Sequence, residues 1–257
     1  MKPQQDHRTK SLRVARTVYR VSRRLGLSIT YYPPSNSLER LLSELFRSLE
    51  INCILDVGAH KGGYLQFLRE DVGFRGHVRS FEPAQGNYQI LARNCSRDRL
   101  WQGFPYALGK QAGSAVLNLF EGGNFNSLLR PSSYGADRFL SLREPQGTEE
   151  IPVHRLDDVF ETVTRGIIAP RVFLKVDTQG YDMDVIDGAG TALSSIAALQ
   201  LELSAKPIYD RQPSFVPAIC RLGELGFEVA GMFPISRDSD GLRVVEFDAV
   251  FCRAVSH

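Results

Sequence analysis

From residue 51 onward the chain alternates short apolar runs with segments of helical spacing. INCILDV is an apolar run that ends at a glycine turn, which predicts a buried strand, and GYLQFLRE beside it predicts a helix. The alternation continues. HVRSFEP is a strand, NYQILARNC a helix, and RLWQGFPYALG contains a third strand. RVFLKVD is a strand, YDMDVIDGAGTAL a helix, ALQLELS a strand and FVPAICRLGELG a helix. Strands that are apolar throughout are buried on both faces, so the pattern predicts an α/β fold with a mostly parallel sheet covered by helices on both sides. FEVAGMF and VVEFDAVFCRA, joined by the polar PISRDSDGLR, predict an antiparallel hairpin at the sheet edge.

Two segments depart from this rhythm. Between the third and fourth strands lies an insertion of about residues 109–170. Within it SAVLNLF reads as an extra strand and EGGNFNSLL as a Gly/Asn turn, and its polar middle reads as a lid or an exposed loop. At the other end, Val14, Val18, Val21 and Leu25 recur at helical spacing among arginines, a basic amphipathic helix over residues 11–25. Pro33 and Pro34 break the chain after it. Asn36, with Glu39 three residues on, reads as the cap of a helix over residues 38–49. The expected organisation is a basic extension, residues 1–36, followed by one domain, residues 37–257.

The formal net charge of the 257 residues is only +2, with 43% hydrophobic and 23% charged residues, a globular balance that says little about partners. The charge is uneven, however: residues 1–30 hold eight Lys or Arg and one acid, Asp6. The helix in that segment packs on the domain or lies on an anionic membrane surface as a peripheral contact. No apolar run approaches the ~20 residues that span a bilayer, and the N-terminus lacks a secretory apolar core. Cys53, Cys95, Cys220 and Cys252 show no C-x-x-C spacing. These features together lead to the expectation of a cytoplasmic protein.

The chemistry concentrates at CILDVGAHKGGY. In open α/β sheets ligands bind beyond the carboxyl ends of the strands. Here Asp56 ends a strand and Gly58 and Gly62 strip side chains from the turn that follows. Glu82 ends the next strand, 24 residues after Gly58, where a carboxylate accepts hydrogen bonds from both ribose hydroxyls. The site therefore expects a nucleoside. A dinucleotide prefers G-x-G-x-x-G with its pyrophosphate on the helix N-terminus, whereas Asp56 repels a pyrophosphate and suits a cation. S-adenosylmethionine, with an ammonium and a sulfonium, fits those residues better, and the nicotinamide dinucleotide is the alternative.

Several longer segments resemble the FkbM family of S-adenosylmethionine-dependent methyltransferases: DVGAHKGGY, FEPAQGNYQILARN, ALGKQAGSAVLNLF, NSLL, RLDDV, LKVDTQGYDMDVIDGA and LQLELS, in order from about Ile51 to Ala254. The resemblance implies the class I, Rossmann-like methyltransferase fold with a seven-stranded sheet. It also implies methyl transfer to a hydroxyl of a sugar, glycolipid or glycosylated natural product, with no nucleic-acid partner. It carries Asp56, Gly58 and Gly62, with Ala59 between them, onto the cofactor turn, and His60 where the family often has Asn. Glu82, followed by Pro83, becomes the ribose acid, and Ala107 and Leu108, at the end of the third strand, lie beside adenine. Asn126 and Ser127 touch the cofactor or the substrate, or only their own turn. Gln179 stands where the family has Glu, and an amide is no base.

Three residues then compete for the proton of the acceptor hydroxyl. Asp177 ends the fourth strand beside the crevice, as base, as cap of the following helix, or as holder of a divalent cation. His154, just before RLDDV, is an imidazole with the right intrinsic affinity. Glu202 is a carboxylate inside an apolar strand that needs a partner, namely Lys175, Lys206 or a substrate hydroxyl. Trp101, Tyr134, Tyr181 and Tyr209 are candidates to stack on a sugar ring, or belong to the core. A non-catalytic nucleoside-binding protein on the same fold is the rival reading.

Overall fold

The computed structural model describes residues 37–254. The basic helix over residues 11–25, the Pro33–Pro34 break and the Asn36 cap lie outside the described residues. Helix α1 (Leu38–Ser48) is capped instead by Ser37, whose hydroxyl accepts from the Arg40 amide at 3.4 Å. Its Leu42, Leu45 and Phe46 share one face and are buried.

The main sheet holds β1 (Cys53–Val57), β2 (His77–Phe81), β3 (Trp101–Phe104), β7 (Val172–Val176), β8 (Ile196–Ser204), β9 (Phe227–Arg237) and β10 (Val244–Arg253). Their order is β3-β2-β1-β7-β8-β10-β9. The first five are parallel, and β10 runs antiparallel to both β8 and β9. The chain winds outward from β1 in one direction and from β7 in the other, which opens a crevice at the carboxyl ends of β1 and β7. Helices α2 (Gly63–Phe67, continued by a π turn to Val72), α3 (Gln85–Cys95), α5 (Leu156–Val163), α6 (Asp182–Gly188) and α7 (Phe215–Glu224) connect the strands. The seven-stranded, mostly parallel α/β sheet and its antiparallel hairpin are those the sequence predicts.

Two expectations are corrected. The third strand stops at Phe104, because Pro105 has no amide hydrogen to continue the ladder. Ala107–Leu108 is a separate strand, β4, in a different sheet. In the insertion SAVLNLF is a strand as expected, and the polar middle, expected as a lid or an exposed loop, carries a short helix. The insertion folds as β5 (Gly113–Leu119), the short helix α4 (Ser133–Arg138) and β6 (Gly147–His154), and β4, β6 and β5 form a three-stranded sheet. Strand β6 escapes sequence reading because its first half is polar and Pro152 interrupts it. Pro152 is tolerated because β4 pairs only with Val153 and His154. Ile151 and Val153 join Ala107 and Leu117 in a small apolar cluster beneath this second sheet.

Larger apolar clusters cover both faces of the main sheet. Phe173 is fully buried in one of them, its ring edge-on to Phe46 at 4.8 Å. Among the described residues no helix is long and apolar enough to cross a membrane. Phe173→Ala should lower unfolding free energy by about 3–5 kcal/mol in urea denaturation, with an unchanged slope, because the sheet cannot collapse into the void.

Candidate active site

The turn after β1 is shaped first by the protein itself. Gly58 has φ +79°, and a Cβ there would lie 1.8 Å from the Asp177 carbonyl oxygen. Only glycine lets β7 end so close to β1. The Gly58 and Ala59 amides both donate to the Phe81 carbonyl at 3.0 Å, and the Asp177 amide donates to the Val57 carbonyl at 3.0 Å. Gly62, φ +93°, is needed for packing: a Cβ would sit 2.9 Å from Cys95 Sγ on α3. At both glycines the close approach expected of a ligand is made by the chain.

Beneath the turn runs a buried polar row. Ser80, Asp56, Lys175 and Gln200 are in register across β2, β1, β7 and β8. Lys175 Nζ lies 3.4 Å from Asp56 Oδ1 and 3.3 Å from Asp177 Oδ2, with side-chain exposures of 7%, 0% and 31% in that order. Ser80 Oγ donates to Asp56 Oδ2 at 3.2 Å. Burial pushes the Lys175 ammonium toward losing its proton, but Asp177 and Asp56 outweigh it and the net shift is upward. Burial pushes the Asp56 carboxyl up, against Lys175 and Ser80. Asp56 is thus the partner of a lysine, and it does not face the cavity.

The cavity, of about 310 Å³, opens at the ends of β1, β2 and β7 and is roofed by the second sheet and the segment 123–128. Gly58, His60, Glu82, Pro83, Ala107 and Leu108 line one end, with Tyr106, Leu117 and Ile151. Glu82 is 5% exposed, and its oxygens accept from the His60 amide at 2.9 Å and the Ala84 amide at 3.0 Å. Burial raises it to about 7, against those amides and the Asn87 side chain. Oε1 also accepts from the Asn87 side-chain amide at 3.5 Å, so it is Oε2 that keeps a lone pair for a further donor. His60 sits at φ 49°, its ring Nε2 3.2 Å from the Gly122 carbonyl, and burial lowers its proton affinity.

The other end of the cavity is acidic. Asp177, Gln179, Glu202 and Glu246 line it, with Asn124, Asn126 and Thr178 beside them. Asp177 does not cap the next helix. The residue before that helix is Tyr181, which makes no side-chain cap bond, and Asp182 in the first turn instead ties the preceding loop, accepting from the Thr178 amide at 3.0 Å and the Gly180 amide at 3.2 Å. Glu202 finds none of its expected cationic partners. Lys175 is engaged by Asp56 and Asp177, and Lys206 lies over the Tyr134 ring at 3.7 Å. The partner of Glu202 is another carboxyl, Glu246. Burial, Asp177 and Glu246 all hold the Glu202 carboxyl well above the usual carboxylate range. Among the described residues no group of three or more His, Cys, Asp or Glu is arranged to hold a metal ion.

The remaining site expectations divide. Asp56, Ala59, Gly62, Ser127 and His154 are not among the residues that line the cavity. Ser127 is 1% exposed and donates to the Gln179 carbonyl at 2.7 Å, and His154 packs edge-on against Tyr106 at 4.4 Å. Asn126 lines the cavity while its Oδ1 accepts from the Phe120 amide at 2.8 Å, which closes its own turn. Of the aromatic residues singled out, Tyr181 lines the cavity. Trp101 donates to Ser80, and Tyr209 is core at 1% exposure. Tyr106, Phe125 and Glu246 were missed. The signal for Glu246 was available, since a carboxylate interrupts the apolar run VVEFDAVF as Glu202 interrupts LQLELS.

Residues 56–229, more than half of the chain, match the family model for the methyltransferase FkbM domain. Among solved structures the fold is similar to that of an FkbM methyltransferase from Methylobacillus flagellatus, at 17% identity and TM-score 0.49. That match covers 79% of this chain and 44% of the other, so this chain spans less than half of that relative. It is also similar to the O-methyltransferase TomG from Streptomyces achromogenes, solved with S-adenosylmethionine, at 14% identity and TM-score 0.46, covering 91% and 86% of the two chains. A third is an rRNA methylase from Streptococcus thermophilus, at 8% identity and TM-score 0.44, covering 84% and 94%. No curated protein matches the chain.

Lys175→Met keeps the length of the side chain and leaves Asp56 buried without its cation. Breaking a buried pair from one side should remove about 3–5 kcal/mol of stability, read by urea denaturation. Loss of less than about 1 kcal/mol would mean that the pair is not a structural tie.

Proposed function

Because the chain belongs to the FkbM methyltransferase family and depends on S-adenosylmethionine, we propose that it methylates a hydroxyl of a neutral acceptor: a sugar, glycolipid or glycosylated natural product. The observation that carries this reading is the acidic end of the cavity. Asp177, Glu202 and Glu246 face it, and among the described residues that line it there is no Lys or Arg. A phosphate backbone is gripped by cations, so this lining disfavours nucleic acid. Carboxyls and amides suit hydroxyls, and Tyr181 and Phe125 offer faces to a sugar ring.

S-adenosylmethionine supplies an electrophilic methyl group on a sulfonium. Glu82 would accept from the ribose hydroxyls, chiefly at Oε2, which takes only the His60 amide. Pro83, Ala107, Leu108, Leu117 and Ile151 form the apolar wall for adenine. Asp177, at the end of β7 and 31% exposed toward the cavity, takes the proton of the acceptor hydroxyl as its oxygen attacks, a contribution of ~10²–10⁴ in rate. The cavity walls hold the reacting groups in line, which supplies much of the remainder.

Two outcomes test these roles. Glu82 is held at about 7 in the protein without ligand, and ribose donors favour its ionised form. Binding below that pH therefore releases a proton, so cofactor affinity should rise as pH rises through about 7. Glu82→Gln should flatten that dependence in calorimetric titration, and Glu82→Ala should lose about 1.5–3 kcal/mol of binding. An unaltered pH dependence in Glu82→Gln would sink the ribose assignment. For the acceptor, Asp177→Asn should lose ~10²-fold or more in single-turnover methylation of a sugar panel, with cofactor affinity unchanged. Retention of the rate would remove Asp177 as the base.

A further inference from the structure

Gln179 occupies the position where the sequence left a doubt, since an amide takes no proton. Its contacts give it a different task. The backbone there is left-handed, φ 55°, in a residue that is not glycine, a conformation that persists only when the surroundings hold it. Three contacts hold it. Ser127 Oγ donates to its carbonyl at 2.7 Å, its Nε2 donates to Asp177 Oδ1 at 3.0 Å, and its Oε1 accepts from Tyr209 OH at 3.0 Å.

The orientation of the amide is dictated by chemistry. An ionised carboxylate only accepts, so the NH₂ group must face Asp177 and the amide oxygen is left for the tyrosine. Tyr209 is buried, and the single hydrogen of its hydroxyl is shared between Gln179 Oε1 and the Phe125 carbonyl, 3.1 Å away. The second oxygen of Asp177 meets Lys175 Nζ at 3.3 Å. Each Asp177 oxygen thus has one protein donor.

We propose that Gln179, backed by Tyr209, is a positioning residue that holds the Asp177 carboxylate turned toward the acceptor. This rests on the reading of Asp177 as the proton acceptor. Glutamate at position 179 has the same length and no hydrogen to donate when ionised, and it would set a like charge against Asp177. The other charged or titratable groups around Asp177 are Lys175 on β7, Asp56 on β1, His60 in the first turn, Asp182 on α6, Glu202 on β8, Asp248 on β10 and Tyr209. Of these, Lys175 is the donor to Asp177, and a change at 179 removes none of them.

The test reads Asp177 directly, without acceptor or turnover. The full chain is labelled with ¹³C-carboxyl aspartate and titrated by NMR, and the Asp177 signal is identified by its loss in Asp177→Asn. In Gln179→Glu the Asp177 midpoint should move to higher pH by roughly one unit or more, as for two carboxylates in contact. In Gln179→Ala, which removes the donor and adds no charge, it should move the same way by less. A merely structural Gln179 would change thermal stability and leave the midpoint in place, and an unmoved midpoint in a folded Gln179→Glu overturns the proposal. Where Gln179→Glu does not fold, Gln179→Ala decides by the same reading. The two claims fail separately. A shifted midpoint with a fully active Asp177→Asn sinks the base and leaves the coupling, and an unmoved midpoint with an inactive Asp177→Asn sinks only the role of Gln179.

Discussion

A single buried ammonium ties the site together. Lys175 sits between Asp56 on β1 and Asp177 at the end of β7, the two strands from which the chain winds in opposite directions. A charge in this interior is tolerated only when it is paired, so the strand ends cannot separate without exposing uncompensated ions. The tie explains the glycine as well. With β7 held this close, the Asp177 carbonyl fills the space where a side chain on residue 58 would go. Cofactor turn and acceptor carboxylate are therefore set by one constraint.

From that tie the cavity divides electrostatically. At one end an apolar wall and a buried acid, Glu82, line it. At the other, three carboxyls line it, and they are not equivalent. Asp177 is fastened by two donors, an ammonium and an amide. Glu202 lacks a cation, and burial with Asp177 and Glu246 nearby holds its carboxyl well above the usual carboxylate range. Two donors fasten the one acid, while Glu202 lies beside carboxyls.

Much of this was legible in the chain. The apolar runs named the strands of the main sheet, because strands buried on both faces leave a continuous signal. The residues DVGAHKGGY and Glu82 located the crevice. What stayed hidden depends on register and not on local pattern. Asp56 reads as a partner for the cationic group of a cofactor, but the cation beside it is Lys175, 119 residues away on β7, and only strand pairing brings the two together. Likewise Gln179 reads as a lost base until Tyr209 and Asp177 are seen on either side of its amide. Strand β6 was hidden by its polar half and by Pro152, and with it the second sheet that roofs the cavity.

The central claim is that one tie between β1 and β7 presents the ribose acid and the acceptor carboxylate to the two ends of one ligand. A crystal structure of the chain with S-adenosylhomocysteine tests it most directly. The account predicts ribose hydroxyls hydrogen-bonded to Glu82, the sulfur directed toward Asp177, and Lys175 still between Asp56 and Asp177. Adenosine bound away from Glu82, or Lys175 swung out to meet the ligand, would contradict it.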